Sequence, residues 1–477
     1  MKDFTDRALD GATAAGASYA DVRVEQSERQ MVSVKNGRPN GIGDSETRGF
    51  GVRVLVDGAW GFASSSRLEG PEIDRVARLA VEVARASGRA RREAVYLGPP
   101  IRSVGTYHTA VQQDPFAVSL DDKLAVLLSA DAEMRTVQGV SVTEASFECL
   151  RIRKLLATSE GTFVEQVLVE TGGGMEALAL GESESQRRSY PNSFGRHHAT
   201  AGYEHFAALD MPAHGREIGE QAVQLLSAKP CPSELTTVIL DASQTALQVH
   251  ESCGHPIELD RVFGTEASYA GTSFLTLDKR GSFRYGSDQV TIVADATVPG
   301  ALGTFGWDDE GVPAQRTTIV ERGIFKDYLT SRETAARLAR PSNGTMRADG
   351  WNRIPLIRMT NVNLEAGTWA FEDLLADTER GIYLQTNKSW SIDDRRLNFQ
   401  FGTEIGWEIQ KGKLGAMLKN PTYTGITPQF WGSCDAVCRE WEVWGTANCG
   451  KGQPSQTAHV GHGAAAARFR NVQVGIL

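Results

Sequence analysis

The chain has 477 residues, of which 41% are hydrophobic and 23% charged, and its formal net charge is −9. This length predicts two or three domains with large cores, and the composition is typical of a globular protein. The negative charge argues against nucleic acid as the main partner, and no apolar run is long enough to span a bilayer. Because the first residues lack the apolar core of a signal peptide, we expect a cytoplasmic protein.

The first half of the chain, residues 1–228, predicts an α+β domain in which helices accompany a mainly antiparallel sheet. Helical spacing and capping residues predict four helices, over residues 4–16, from Pro71 onward, from Ser119 onward and over 215–228. Alternation of apolar and polar residues predicts strands over 20–25, 31–34, 51–56, 59–62, 140–148, 150–157 and 162–170.

Two turns and a boundary are predicted in the same half. Asp57-Gly58 is a strong two-residue hairpin signal between two of these strands. Gly172 to Gly174 are followed by no Lys-Ser or Lys-Thr pair and by no helix pattern, so we interpret them as a flexible turn instead of a phosphate loop. Lys229 to Pro232 is rich in proline and predicts the domain boundary.

The second half, residues 233–477, predicts a β-rich domain that carries a metal-binding helix near its start. Recurrent short apolar runs predict strands at 289–294, 317–320, 356–364 and 406–410. The acidic run Asp308-Asp309-Glu310 has two interpretations, because it could orient a ligand histidine or form a solvated acidic turn.

The six cysteines do not form a disulfide framework in a chain of this length, so we expect buried thiols or metal ligands. Cys434 and Cys438 would share one face of a helix. Since no second pair of this kind accompanies them, we favour burial over metal binding. The sequence leaves open whether these two residues or Cys253 have a functional role.

The segment from Val249 to Asp260 carries the chemistry, because it places His250, Glu251 and His255 together. Two neutral imidazoles can bind a zinc ion, and a carboxylate beside the first can take a proton from metal-bound water. The histidines are five residues apart, so about 140° would separate them on a regular helix. Both reach one ion if the turn widens into a π-bulge, which Gly254 favours. The alternative is an accidental spacing of two ordinary histidines.

A catalytic zinc usually has three protein ligands and keeps a fourth position for water, so two histidines leave one ligand to find. From the residues alone this third ligand stays open. The candidates are Cys449, Cys253, Glu258, His459 and His462.

The motif from His250 to His255, followed by Glu258 and Asp260, resembles the signature of the TldD/PmbA family of peptidases, and of its TldD branch in particular. Further blocks along most of the chain also resemble this family, at 48–54, 58–63, 308–311, 328–332 and 358–361. The segment from Gly445 to Pro454 resembles the family's C-terminal cysteine block.

The resemblance implies a zinc-dependent peptidase in which Cys449 is the third ligand beside His250 and His255, and Glu251 is the general base. It implies that extended or unfolded peptides enter an enclosed cleft and are held by backbone strand addition, with roles in maturing or degrading modified precursor peptides. It also implies a dimer, either with a related TldE/PmbA-like subunit or with a second copy of the chain.

Some positions depart from the family pattern, among them Cys253, Pro256, Leu259 and residues 386–390, where a glycine-rich loop is usual. These differences affect substrate choice and the subunit interface more than hydrolysis. Two alternatives remain open: a non-catalytic metal-binding subunit or adaptor, and a structural metal site whose fourth position Cys253 closes.

Overall fold

The computed structural model describes residues 1–193 and 196–475. None of the described helices is both long and apolar enough to cross a membrane. The α-helices are α1 Lys2–Ala14, α2 Gly70–Gly88, α3 Leu120–Arg135, α4 Tyr203–Ala208, α5 Met211–Ser227, α6 Ala242–Val249, α7 Leu259–Val262, α8 Arg332–Arg337, α9 Phe371–Ala376 and α10 Thr427–Gly432. A π-helix spans His250–Gly254, and a 3-10 helix spans Leu277–Lys279.

The strands form two large sheets and several small ones. The first sheet contains β1 Tyr19–Lys35, β2 Arg38–Val56, β3 Ala59–Ser65, β4 Val104–His108, β5 Val140–Thr158, β6 Phe163–Leu180, β7 Ser185–Tyr190 and β8 His197–Ala199. The remaining strands are β9 Lys229–Pro230, β10 Glu234–Leu240, β11 Ile292–Asp295, β12 Arg316–Glu321, β13 Ile324–Phe325, β14 Met346–Arg347, β15 Leu356–Ile357, β16 Val362–Leu364, β17 Arg380–Ile392, β18 Asn398–Gln410, β19 Lys413–Lys419, β20 Thr422–Ile426, β21 Cys434–Val437, β22 Glu442–Lys451, β23 Gln456–Ala464 and β24 Ala467–Val474.

The first sheet has the order β3-β2-β1-β5-β6-β4, with antiparallel neighbours except for the parallel pair of β4 and β6. Because side chains alternate along a strand, one face of β1 and β5 is apolar and packs against helices. Helices α1 and α2 cover one cluster on this face, around Val52 and Ala80. Helices α3 and α5 cover another, around Phe147 and Ile218. The opposite face is polar and turns toward the second half of the chain.

The second half is built around a closed ring of strands. The order β17-β10-β24-β20-β18 closes because β18 also pairs with β17, which removes the open edges of the sheet. Its core is the largest hydrophobic cluster and includes the fully buried side chains of Tyr285, Phe401 and Trp431. Outside the ring lie the sheet β13-β12-β11-β16 and the hairpin of β22 and β23. The α+β class expected from the sequence is confirmed, whereas the boundary at residues 229–232 stays a prediction.

Buried ion pairs join the polar face of the first sheet to the second half. Lys154 Nζ lies 3.0 Å from Asp309 Oδ1, and Arg53 Nη1 lies 3.5 Å from Glu310 Oε1. Asp308 accepts hydrogen bonds from the backbone of Val312 and Met346. Both interpretations of the acidic run are therefore wrong. It is neither solvated nor a partner of a ligand histidine, because it binds the cations of the first sheet and nearby backbone.

Most of the local predictions hold in the first half, and one fails. Ser119 caps α3 by accepting a hydrogen bond from the backbone N–H of Asp122, and Asp57-Gly58 turns between β2 and β3. The prediction of a turn at Gly172 to Gly174 is wrong, since these residues continue β6 and pair with β5. A side chain at Gly172 would meet His198, which explains why small residues occupy this strand.

Candidate metal centre

The histidine segment follows directly from β10. Asp241 ends the strand and caps α6, since its carboxylate accepts a hydrogen bond of 2.7 Å from the backbone N–H of Gln244. Helix α6 then continues into the π-helix, in which the N–H of His255 donates to the carbonyl of His250 at 3.2 Å. The predicted widening of the turn is confirmed, and it spans the five residues that separate the two histidines.

The widened turn brings both imidazoles to the same side of the helix. The ring centroids of His250 and His255 lie 4.9 Å apart, whereas a regular helix would separate these side chains by about 140°. Gly254 allows the turn to pack tightly, because a Cβ atom there would lie 2.1 Å from Met359 Sδ. The glycine in the motif is therefore required by a close approach of the chain to its core.

Cys449 reaches the histidines from β22, at an irregularity in its pairing with β23. Its Sγ lies 3.7 Å from His255 Nε2, and the ligand atoms of His250, His255 and Cys449 all lie within 4.8 Å of one another. Each of the three residues is at most 5% exposed. Arg358 holds this part of β22 in place by donating to the backbone carbonyl of Cys449.

A third histidine, His462, fixes the orientation of His250. His250 Nδ1 lies 2.7 Å from His462 Nε2, and His462 Nδ1 lies 2.9 Å from the carbonyl oxygen of Val362. A carbonyl only accepts, so His462 Nδ1 carries the proton and a neutral His462 accepts at Nε2. His250 therefore donates from Nδ1, and its Nε2 lone pair is free toward Cys449.

Glu258 fixes the orientation of His255 in a similar way. Its Oε2 lies 3.1 Å from His255 Nδ1, so this nitrogen donates and Nε2 keeps the lone pair that faces Cys449. Glu258 is fully buried, and cations compensate its charge. Lys451 Nζ lies 3.4 Å from Glu258 and 2.8 Å from Asp260, while Arg261 Nε lies 3.7 Å from Glu258.

The protonation states favoured in this site are those of metal ligands. Burial lowers the pKa of His250, and it holds the pKa values of His255 and His462 well below the ordinary value, so the imidazoles are neutral. Burial alone would raise the pKa of the Cys449 thiol, but neighbouring groups, among them the positively charged guanidinium of Arg358, outweigh it and lower this pKa. Neutral imidazole and thiolate are the forms that bind a divalent metal.

Glu251 faces the cavity that opens over the three residues. This metal-side cavity has a volume of about 410 Å³ and is lined by the π-helix, by β22 and by residues of the first sheet such as Arg29 and Glu148. Glu251 Oε2 accepts a hydrogen bond of 2.8 Å from Arg396 Nη1, which fixes the carboxylate beside the ligand group. Asn387 and Trp390, in the segment that departs from the family pattern, also line this cavity.

Comparison with known proteins places this geometry in a family. Three sequence profiles match, described as PmbA/TldA metallopeptidase domain 1 over residues 20–84, central domain over 113–226 and C-terminal domain over 233–475. A metalloprotease of Methanocaldococcus jannaschii is 30% identical, with 94% of this chain and 95% of that protein covered. The chain belongs to the PmbA/TldD family of metallopeptidases.

Further relatives within the PmbA/TldD family have similar coverage. A metalloprotease of Synechocystis is 30% identical over 98% of this chain and 96% of its own length. A protein of Haemophilus influenzae named a metalloprotease TldD homolog is 25% identical over 96% of this chain and 92% of its own length. The expected class of enzyme, a metallopeptidase, is confirmed by this membership.

Solved structures with low sequence identity share the PmbA/TldD fold. A Thermotoga maritima protein named as a modulator of DNA gyrase has a TM-score of 0.77 at 19% identity, covering 99% of this chain and 100% of its own. TldE from Thermococcus kodakarensis has a TM-score of 0.72 at 16% identity and covers 99% of both chains. These similarities establish the fold of the whole chain.

The other candidate ligands occupy different positions around the PmbA/TldD site. Glu258 and His462 contact the histidines from behind, and His459 pairs with Glu170 of β6. Cys253 belongs to the hydrophobic core, and burial raises the pKa of its thiol to about 12. Cys434 starts a strand instead of lying on a helix with Cys438, and both thiols are buried, as expected.

Sequence reasoning missed two residues of the site and left the role of a third open. Arg396 carried no local signal, because it lies in the turn between β17 and β18 and reaches Glu251 across 145 residues of sequence. Lys451 follows Cys449 by two residues, but only the fold shows its burial among carboxylates. The sequence offers His462 as one of several candidate ligands, whereas in the structure its ring accepts a hydrogen bond from His250.

Proposed function

We propose that this chain is a zinc-dependent peptidase that hydrolyses peptide bonds in extended or unfolded peptides. One observation carries the proposal: His250, His255 and Cys449 converge within 4.8 Å at the wall of a cavity, with the carboxylate of Glu251 beside them. A structural metal site would instead be closed by a fourth ligand, and Cys253 lies in the core, outside this group.

Zinc suits this set of donors. Two imidazoles and one thiolate are typical of zinc, and at zinc bond lengths two tetrahedral ligands lie about 3.5 Å apart. The distance of 3.7 Å between Cys449 Sγ and His255 Nε2 agrees with this spacing. His250, His255 and Cys449 would hold the ion, which when bound polarises a peptide carbonyl and lowers the pKa of water.

Glu251 is the general base of the proposed reaction. Its carboxylate lies in the cavity wall and does not belong to the ligand group, so it can take a proton from the attacking water and pass it to the leaving amine. Arg396 holds the carboxylate from one side by a single hydrogen bond, to Oε2, which leaves Oε1 for the water.

The shape of the site favours an extended chain. The polar face of the first sheet covers the cavity, and the floor includes the segment of β22 from Gly445 to Gly450. In the described part of the chain β22 forms a ladder with β23 alone, while the N–H of Gly445 donates to His197 Nδ1, so the cavity side of β22 can accept an added strand after Gly445. Backbone hydrogen bonds of this kind bind extended peptides of many sequences and exclude folded ones.

The proposed assembly is a dimer with a related subunit of the TldE/PmbA type or with a second copy of this chain. The similarity of the fold to TldE supports a partner of the same architecture, because two chains of one fold can share a pseudo-symmetric interface. The proposed role is the maturation or degradation of precursor peptides.

The decisive experiment compares the unmodified chain with Glu251→Gln and Cys449→Ala. Cleavage of an unfolded protein is followed by mass spectrometry, and bound zinc is measured by elemental analysis. Glu251→Gln should keep its zinc and lose about 10² to 10⁴ in rate, since an amide cannot accept the proton. Cys449→Ala should lose zinc.

Glu165→Gln, an exposed change on β6, is the matched control and should behave like the unmodified chain. Near-normal turnover by Glu251→Gln would remove its assigned role. A chain that binds zinc and cleaves no peptide would instead support the adaptor alternative.

A further inference from the structure

A second cavity adjoins the metal-side cavity. This distal cavity has a volume of about 290 Å³ and lies between the polar face of the first sheet and a floor that includes Phe305, Trp307 and Ala458. Arg29 and His459 line both cavities, so the two spaces meet at these side chains. A chain that reaches the metal-side cavity can therefore continue into the distal one.

The roof of the distal cavity consists of cross-strand rows of the first sheet. One row contains Arg29, Leu150 and Glu170, and lies nearest the metal side. The next row contains Thr47, Ser27, Ile152 and Leu168. The third contains Glu25, Lys154 and Gln166. The middle row is thus free of charge and lies between two charged rows.

The charges in the outer rows already have partners. Lys154 Nζ lies 3.0 Å from Asp309. Arg29 Nε lies 2.6 Å from Glu148. Glu170 is hydrogen-bonded to His459 across the cavity. Because these ion pairs are formed within the protein, the outer rows offer little to an additional charged ligand.

The middle row offers apolar surface that has no partner in the described structure. Ser27 and Thr47 hydrogen-bond to each other at 3.1 Å, so each hydroxyl group has one partner within the row. Ile152 and Leu168 stand beside them, are only partly buried, and belong to none of the hydrophobic clusters of the described residues. Small side chains next to large apolar ones leave room for one side chain from outside.

The floor opposite this row is held rigidly. Gln166 Nε2 donates to the carbonyl of Trp307 at 2.9 Å, while its Oε1 accepts from the N–H groups of Gly306 and Trp307 at 2.9 and 3.1 Å. The loop that carries Trp307 is therefore fixed to the roof. A preformed cavity binds without the entropic cost of ordering its walls.

The distance to the metal side follows from β5. Glu148 lines the metal-side cavity, and Ile152 lines the distal one four residues further along the strand. At about 3.3 Å per residue these two positions are about 13 Å apart, which an extended peptide spans with about four residues. The scissile bond would lie beyond Glu148, at the metal ligands. The distance along a substrate from this bond to the distal cavity is therefore somewhat longer than the distance between Glu148 and Ile152.

We propose that the distal cavity is a specificity subsite that binds one large apolar side chain of the peptide, about four to six residues from the bond that is cleaved. The inference rests on the proposed peptidase function and adds a substrate class to it: unfolded peptides with a hydrophobic or aromatic residue at this distance. Because backbone hydrogen bonds discriminate only weakly between peptide sequences, the contact in the distal cavity supplies the selectivity among substrate peptides.

The test measures binding, so that it does not depend on turnover. The probes are fluorescent twelve-residue peptides of Gly, Ser and Ala in which a single Phe is moved through every position. Their affinity is measured by anisotropy with the full-length Glu251→Gln chain, loaded with zinc. Phe in the correct register should tighten binding about 10-fold to 100-fold over the peptide without Phe, as expected for burying one large apolar side chain.

Two variants locate this selectivity. Ile152→Asn combined with Leu168→Asn should reduce the advantage of Phe to less than about threefold, with little change for the peptide that lacks Phe. Leu168→Ala should enlarge the subsite. When the Phe of the peptide is replaced by Leu or by Trp, this variant should favour the Trp peptide more than the unmodified subsite does. Leu235→Gln, at a residue 68% exposed on β10, is the control and should keep the full advantage of Phe.

The outcomes separate the two proposals. An advantage of Phe that survives the double variant, or is absent at every register, overturns the subsite. If the unmodified chain cleaves no peptide while the register-dependent binding and its loss in the double variant are observed, the peptidase proposal fails and the subsite stands.

Discussion

Arg396 donates a hydrogen bond of 2.8 Å from Nη1 to Oε2 of Glu251, and this contact joins the turn between β17 and β18 to the π-helix of the candidate site. Arg396 has a φ of 61°, in the left-handed region, so the turn itself aims the side chain. Arg396 is 14% exposed in its side chain and Glu251 7%, which places the ion pair largely out of water. The orientation of the proposed base thus depends on a segment distant in sequence.

We expect Arg396→Gln to lower kcat about 10-fold to 100-fold while zinc content is unchanged, because Glu251 would lose the group that orients it. Steady-state cleavage of an unfolded peptide and elemental analysis give the two quantities. Arg395→Gln, one residue earlier and exposed, is the matched control. Loss of zinc by Arg396→Gln would show that the arginine supports the fold of the site instead of the position of Glu251.

A second prediction concerns the hydrogen bond between His462 and His250. His462→Phe removes the acceptor of the His250 Nδ1 proton, so His250 is free to rotate or to change tautomer. We expect zinc affinity to fall about 10-fold to 100-fold, as is typical when such a supporting group is removed. Competition with a chromogenic chelator measures the affinity, and His108→Phe, at an exposed position, is the control. Unchanged affinity would argue that packing alone fixes the ring of His250.

The third prediction is a pH dependence of stability that arises from His459 and Glu170. Burial lowers the pKa of His459, but the charge of Glu170 outweighs it and raises this pKa above the ordinary value. Burial likewise raises the pKa of Glu170, but His459 outweighs it and lowers this pKa. The pair joins β6 to β23, and hence the first sheet to the second half of the chain.

The raised pKa of His459 and the lowered pKa of Glu170 determine how the stability that the pair contributes changes with pH. The contribution of His459 is complete below its unfolded pKa of about 6.5 and is lost as pH rises through the raised folded pKa. The contribution of Glu170 is complete above its unfolded pKa of about 4.3 and is lost as pH falls through the lowered folded pKa. The melting temperature of His459→Gln should therefore fall below that of the unmodified chain most clearly near pH 5 to 6 and least near pH 9. An equal deficit at both pH values would contradict the ion pair.

The last prediction concerns access and assembly. Because the first sheet covers the cavity, we expect an unfolded protein to be cleaved and its folded form to be spared. Digestion of one protein in native and unfolded forms measures access, and light scattering with and without a co-expressed relative measures assembly. A fully active monomer, or equal cleavage of both forms, would show that the site is open and needs no partner.

The sequence by itself determined the local parts of the site. The strand β10, the cap at Asp241 and the five-residue spacing from His250 to His255 specify a helix with a widened turn, and the structure has this turn. Ser119 and Asp57-Gly58 likewise specified a helix start and a hairpin. These signals can be read because capping, turn geometry and helical spacing depend on residues a few positions apart.

Only the tertiary structure decided which distant groups meet at this turn. Cys449 lies 194 residues from His255, His462 lies 212 residues from His250, and Arg396 reaches Glu251 from another hairpin. In sequence the acidic run at 308–310 is compatible with a solvated turn or with a group that orients a ligand histidine, yet it is buried and pairs with cations of the first sheet. Contacts of this kind depend on the closure of long loops and on burial in a common core, for which no neighbouring residue carries a signal.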